Sequence, residues 1–285
     1  MIVEREEQLA PDIIVIGAFK AGTTALHQYL AQHPSIFMTH VKEPNFFAFD
    51  EQLTLNVEDF PVRSWHEYQS LFDAARIGQL KGEASPAYLH SPISAERIYS
   101  RLPNVKLIAS LRNPVDRAYS HYVQNFRAGR TRLSAEEGFN AREFWLNASL
   151  YADSIARYEE RFSGQLKVIL HEDLNRDAAF VVNELFEWLG LSRKEDLNTK
   201  QRYNSGGVPK SRLVQTGLHF LRTRKIFKEL LPPAVRARLA TLRDANLKAA
   251  PPLPEGERSR WQAYFREDVL RTQDILDLDL SSWLS

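Results

Sequence analysis

Lys20, Thr23 and Thr24 lie inside the stretch GAFKAGTT, residues 17–24, and their types and spacing suit the binding of a phosphate-like anion. A turn between a strand and a helix points backbone N–H groups outward at the positive end of the helix dipole. Glycines let the backbone approach the anion, and threonine hydroxyls add donors. Gly17 and Gly22 match the spacing of the nucleotide-phosphate loop G-x-x-x-x-G-K-[ST], with Thr24 in the last place. Thr23 stands where that loop carries its lysine, and the only lysine of the stretch, Lys20, sits between the two glycines.

Four other stretches carry residues fit for chemistry. VKLIASLRNPVDRAYSHY ends a strand-like run on Arg112 and places Ser120 in the following helix-like run. An arginine at a strand end offers a fork of donors to an anion. A nucleoside triphosphate held through Mg²⁺ would call for an acid there. VILHED contains Glu172 and Asp173, so a metal stays open on the residues alone. HVKEPNFF offers Glu43 as a proton acceptor, with His40 as a competitor. NSGGVPKSR is a glycine loop ending in Lys210, Ser211 and Arg212.

These residues need a frame that brings them together. DIIVIG reads as a short strand buried on both faces, followed by helical spacing from Thr23 to Gln32. SIFMT, Leu80–Glu83, Val105–Leu111 and LKVILHEDL read as further strands. Helical runs lie between them, including one that Pro114 opens and one in DAAFVVNELFEWLG that Gly190 stops. Strands alternating with helices predict an α/β fold. The form expected is a three-layer α/β/α arrangement with a central, mostly parallel sheet and a P-loop-like strand–loop–helix. Ligands of such sheets bind beyond the C-terminal strand ends, where both Lys20 and Arg112 would fall. Residues 1–285 read as one domain, with a helical C-terminal part, about 208–285, packed on it.

Composition narrows the options. The 285 residues are 44% hydrophobic and 26% charged, the proportions of a soluble globular chain. A net charge of +1 gives no general field for nucleic acid, so any anion site must be built locally. There is no cysteine, which removes disulfides, thiolate metal sites and cysteine nucleophiles. No apolar run approaches a membrane span, and the acidic N-terminus lacks a signal core. A cytoplasmic location is the expectation.

Taken in order, FKAGTTAL, KEPNFF, GEASPAYL, LRNPVDRAYSHY, LKVILHEDL and NSGGVPKSR resemble the sulfotransferases that use 3′-phosphoadenosine 5′-phosphosulfate (PAPS). The likeness is strongest to the bacterial members and the heparan-sulfate-type branch, and it runs from the first strand to DLSSWL. The resemblance implies that Lys20, Ala21, Gly22, Thr23 and Thr24 hold the 5′-phosphosulfate, and that Lys20 also stabilises the leaving phosphate. It implies that Arg112 and Ser120 grip the 3′-phosphate and that Lys210, Ser211 and Arg212 fold over the nucleotide. Glu43 would be the general base. PAPS would be co-substrate and PAP the product, with no metal required. The acceptor would be a hydroxyl, less readily an amine, on a small molecule, glycan or lipid.

Two departures bear on the acceptor. Ala84 follows Glu83 where the heparan-modifying branch has a lysine, and the disulfide of several of those enzymes is impossible here. Trp65, Tyr68, Tyr88 and Trp145 are candidates for lining an acceptor pocket, although aromatics at such spacing are more often core. The competing readings are a P-loop-type nucleotide kinase or NTPase, and a PAP-binding protein without catalysis. No oligomeric state is legible.

Overall fold

The computed structural model describes residues 9–49, 61–199 and 250–285, together with residue 235 and the backbone at 208–209 and 247–248. Its frame is a five-stranded sheet of order β2-β3-β1-β4-β5. The strands are β1 (Ile13–Gly17), β2 (Ile36–Met38), β3 (Leu80–Ala84), β4 (Lys106–Leu111) and β5 (Leu166–Leu170). Every pairing within it is parallel. All five C-terminal ends therefore leave the sheet along one edge.

The β-branched run Ile13–Ile16 is fully buried because helices cover both of its faces. On one face Ile13, Val15, Ile108 and Ile169 meet α1 (Thr23–Leu30) through Leu26 and Leu30. The same cluster takes in Val182, Leu185 and Phe186 of α10 (Ala178–Trp188). Lys106 also points to this side, donating to Trp188 O at 2.7 Å with its ammonium over the Trp188 ring. On the other face β1 packs against α3 (Ala87–His90), and α4 (Ser94–Arg101) packs against α8 (Ala152–Arg161). Gly17 permits close approach there, since a Cβ on it would lie 2.6 Å from Leu89 Cβ. The three-layer, parallel α/β frame read from the sequence is the frame observed.

Local differences from the sequence reading have local causes. The helix begun at Thr23 ends at Leu30, and His33-Pro34 lie beyond it. Helix α2 (Trp65–Ser70) was not expected; Ser64 accepts from Glu67 N and Glu67 reaches back in a capping box. SAEEGFNAREFWL divides into α6 (Ala135–Asn140) and α7 (Phe144–Asn147), parted by Arg142 in the left-handed region. The strand read through LKVILHEDL stops at Leu170, and α9 (His171–Arg176) begins at once.

Two compact units divide the chain: residues 1–114, 150–203 and 265–285 in one, residues 115–149 and 204–264 in the other. The first holds the sheet. The second contains most of α5 (Pro114–Arg127) and the start of α11 (Glu255–Leu276). It also holds the antiparallel pair β6 (Val208–Pro209) and β7 (Leu247–Lys248). Trp145 and Trp261 pack at 5.3 Å in its core, and Phe139 stacks on Trp261. Arg117, fully buried, donates to Ser149 Oγ at 2.6 Å and to Trp145 O. His121 lies against Arg117 Nη1 at 3.3 Å, which makes it a residue of this core.

Candidate active site

The first four N–H groups of a helix have no partner within the helix. At α1 the N-cap is Gly22, held at φ 84°, and no side chain caps it. Glycine is required there twice over. The left-handed conformation penalises any Cβ, and a Cβ would stand 2.8 Å from His171 Nδ1. The loop entering α1 is tied down from its other side. Ala18 N–H donates to Ser110 O at 2.8 Å, Ser110 Oγ donates to Ala21 O at 2.6 Å, and Arg112 Nη1 donates to Lys20 O at 3.1 Å. Lys20 itself has φ 66°, an uncommon state for a residue with a Cβ. The stretch Lys20–Thr24 is thus a fixed turn of backbone amides, with two cationic side chains rooted beside it.

Parallel strand order explains how distant residues come to one edge. Lys20 follows β1, Arg112 is the first residue past β4, and His171 is the first past β5. Glu43 arrives by another route, its N–H bonding Ala84 O at the end of β3 at 3.1 Å. The segment leading to Glu43 is anchored by Thr39, whose N–H bonds Gly82 O at 2.9 Å and whose carbonyl lies 3.1 Å from His27 Nε2 on α1. Glu43 has φ 59°, a second left-handed residue at the candidate site. Its carboxylate pairs with Lys42.

The site residues expected from the sequence that fall among the described residues can now be placed. Lys20, Ala21, Gly22, Thr23 and Thr24 form the turn and first helical residues, and Arg112 joins them through the Lys20 carbonyl. Ser120 sits on α5 within the second unit. Lys210, Ser211 and Arg212 lie outside the described residues. His40, the competing base, is exposed with its ring edge-on to Phe37. Glu172 and Asp173, which had left a metal open, are both engaged: Glu172 accepts Asn113 N–H at 2.8 Å, and Asp173 pairs with Arg176 at 2.6 Å. Among the described residues no group of three or more His, Asp or Glu is arranged to hold a metal ion. Tyr68, Tyr88 and Trp145 are fully buried, so they belong to cores and not to a pocket wall.

Two residues of this edge went unread in the sequence. His171 was hidden because LKVILHEDL looks like one strand, so the helix start at its middle was missed. Burial, then the nearby Arg112 and Lys20 cations, push its pKa down to about 4, partly offset by a backbone hydrogen bond at Ala21. A neutral imidazole therefore packs beneath the turn. Glu83 was noticed only for the alanine after it. A lone carboxylate in a buried strand was the signal, because such groups are almost never buried without partners.

A model of the sulfotransferase family matches residues 11–196. The chain belongs to the sulfotransferase family. A sulfotransferase of solved structure from Alicyclobacillus acidocaldarius has the same fold, with a TM-score of 0.69 and 30% identity over 97% of this chain and 99% of that one. Human heparan sulfate glucosamine 3-O-sulfotransferase 6 is 30% identical over 196 residues, 64% of this chain and 53% of that protein. The membrane-associated sulfotransferase kil1 of Dictyostelium discoideum is 37% identical over 120 residues, 42% of this chain and 24% of that protein. The chain thus spans 24% to 53% of the length of these two curated relatives. Among the described residues, no helix of this sulfotransferase is long and apolar enough to cross a membrane.

The His171 environment predicts a pH effect. Its folded pKa is depressed below 6.5, so the folded chain resists protonation that the unfolded chain accepts. Stability from this site is present above about 6.5 and is lost as pH falls towards about 4. His171→Gln should remove that loss. The stability of wild type minus variant, from urea unfolding, should therefore shrink over this interval; a constant difference would contradict the assignment.

Proposed function

We propose that the chain transfers a sulfuryl group from PAPS to a hydroxyl of an acceptor. The observation that carries the proposal is the glycine-capped N-terminus of α1, with Lys20 inside the turn and Arg112 bonded to the Lys20 carbonyl. An amide cradle at a helix N-terminus fits a 5′-phosphosulfate. Lys20 lies before the helix, where a lysine can reach an oxygen between phosphorus and sulfur. Arg112, past the end of β4, suits a second phosphate better than a metal would. Ser120, Lys210, Ser211 and Arg212 complete the proposed nucleotide contacts, and the whole chain is proposed to act as one sulfotransferase domain.

The proposed step balances simply. The acceptor oxygen forms a bond to sulfur while the bond from sulfur to the 5′-phosphate oxygen breaks. The bonding pair stays on that oxygen, and PAP leaves. Lys20 neutralises the charge growing on the leaving oxygen, and Glu43 takes the proton from the acceptor. Lys42 pairs with the Glu43 carboxylate that takes this proton. Positioning and charge stabilisation supply the rate, as they do in phosphoryl transfer. The acceptor is a small molecule, glycan or lipid. A cytoplasmic location is part of the same reading, supported by the cysteine-free sequence.

Lys20→Ala should lower turnover of PAPS at least about a hundredfold, the usual scale for one charge-stabilising donor, while PAP affinity changes far less. Glu43→Gln should do the same with PAP affinity kept. Turnover is read as PAP released from PAPS in the presence of pooled alcohols; wild-type turnover in either variant would remove that residue from the mechanism. Arg112→Ala should erase the preference for PAP over adenosine 5′-phosphate in calorimetric binding. A preference that survives would contradict its role at the 3′-phosphate.

A further inference from the structure

Glu83 is fully buried at the end of β3, yet it carries an unusual number of directed hydrogen bonds. Tyr68 OH donates to its Oε1 at 3.1 Å and Ser85 Oγ donates to its Oε2 at 2.8 Å. Tyr88 OH is a third hydroxyl beside it, one that favours its charged form. Two of these hydroxyls have a second task. Ser85 Oγ accepts Asn45 N–H at 3.1 Å, and Tyr88 OH accepts Phe47 N–H at 3.5 Å. With Glu43 N–H on Ala84 O, the whole turn 43–47 hangs from residues 83–88. That turn is strained, because Glu43 and Asn45 both have left-handed backbones, at φ 59° and 55°.

The direction of the bonds depends on the charge of Glu83. A carboxylate only accepts, so it orients all three hydroxyl protons inward. The Ser85 and Tyr88 oxygens then keep lone pairs for the two amides. A protonated Glu83 must itself donate, so one hydroxyl proton has to turn away and compete with an amide.

We propose that Glu83 is a positioning residue for sulfuryl transfer: its carboxylate, acting through Ser85 and Tyr88, holds the strained turn that presents Glu43. This rests on the reading of Glu43 as the base. Burial pushes the Glu83 pKa up to about 7, against the pull of the three hydroxyls and of Lys42. The titratable groups around it are Tyr68 from α2, Tyr88 from α3, Tyr158 from α8 and Lys42 from the segment before the turn. The tyrosines are all pushed upward and stay neutral, so Glu83 is the member of this group that changes charge near neutrality. The turn should tighten as pH rises through about 7.

The test follows hydrogen exchange at the Asn45 and Phe47 amides by NMR, corrected for intrinsic rates, on wild type, Glu83→Gln and Tyr88→Phe. In wild type, protection of both amides should rise about tenfold or more across neutral pH, a change readable as a shift in local opening. Glu83→Gln should lose this step, and Tyr88→Phe should lose protection at Phe47 alone. PAP release from PAPS with pooled alcohols should fall at least about tenfold in Glu83→Gln, while the PAP dissociation constant stays within about twofold. Unchanged protection and turnover in Glu83→Gln would overturn the proposal. Joint loss of PAP binding and turnover would also overturn it, marking Glu83 as general core support. Glu43→Gln separates the two readings: if it keeps wild-type turnover, the base assignment fails whatever the amides at 45 and 47 show.

Discussion

The N-terminus of α1 has no side-chain cap, and the arrangement of this edge follows from that constraint. A side-chain cap would fill the place that an anion needs, and the chain puts Gly22 there instead. The turn must then be held by something other than its own cap. Ser110 and Arg112 do so from the neighbouring strand, and His171 packs under it from the strand beyond. Parallel pairing makes this possible, because it delivers the ends of β1, β3, β4 and β5 to one edge. The residues concerned lie far apart in sequence and need no long side chains to meet.

The same edge concentrates unfavourable states. Lys20, Glu43 and Asn45 occupy the left-handed region, each at roughly 1–3 kcal/mol. Glu83 is buried with a raised pKa, and His171 is buried with a lowered one. Well-packed strands and helices on both faces offset such terms. The β1 residues Ile13–Ile16 are wholly buried, and α10 supplies large apolar side chains against the same layer. Strain at the candidate site's edge over a firm sheet is the pattern expected where geometry must be set before substrate arrives.

Much of this was legible in the sequence. The run DIIVIG, the glycine pair and the strand ending in Arg112 carry their structure in local patterns. Residue order alone gave the parallel sheet, since strands alternated with helices. What stayed hidden depended on tertiary neighbours. Nothing local marks Leu170 as the last residue of β5, so His171 read as strand. Nothing local shows that Ser85 and Tyr88 would turn from Glu83 to the amides of Asn45 and Phe47. The aromatic residues Tyr68 and Tyr88 suggested a pocket by type, whereas burial places them in the core with hydroxyls that serve a carboxylate.

Thermal stabilisation by PAP, compared with ATP and Mg²⁺ at equal excess, most directly tests whether this edge is a PAPS site. A ligand at about 100 times its dissociation constant adds roughly 2.7 kcal/mol, a readable melting shift. The account predicts that shift with PAP, without added metal, and little with ATP and Mg²⁺. A shift with ATP and Mg²⁺ and none with PAP would contradict it.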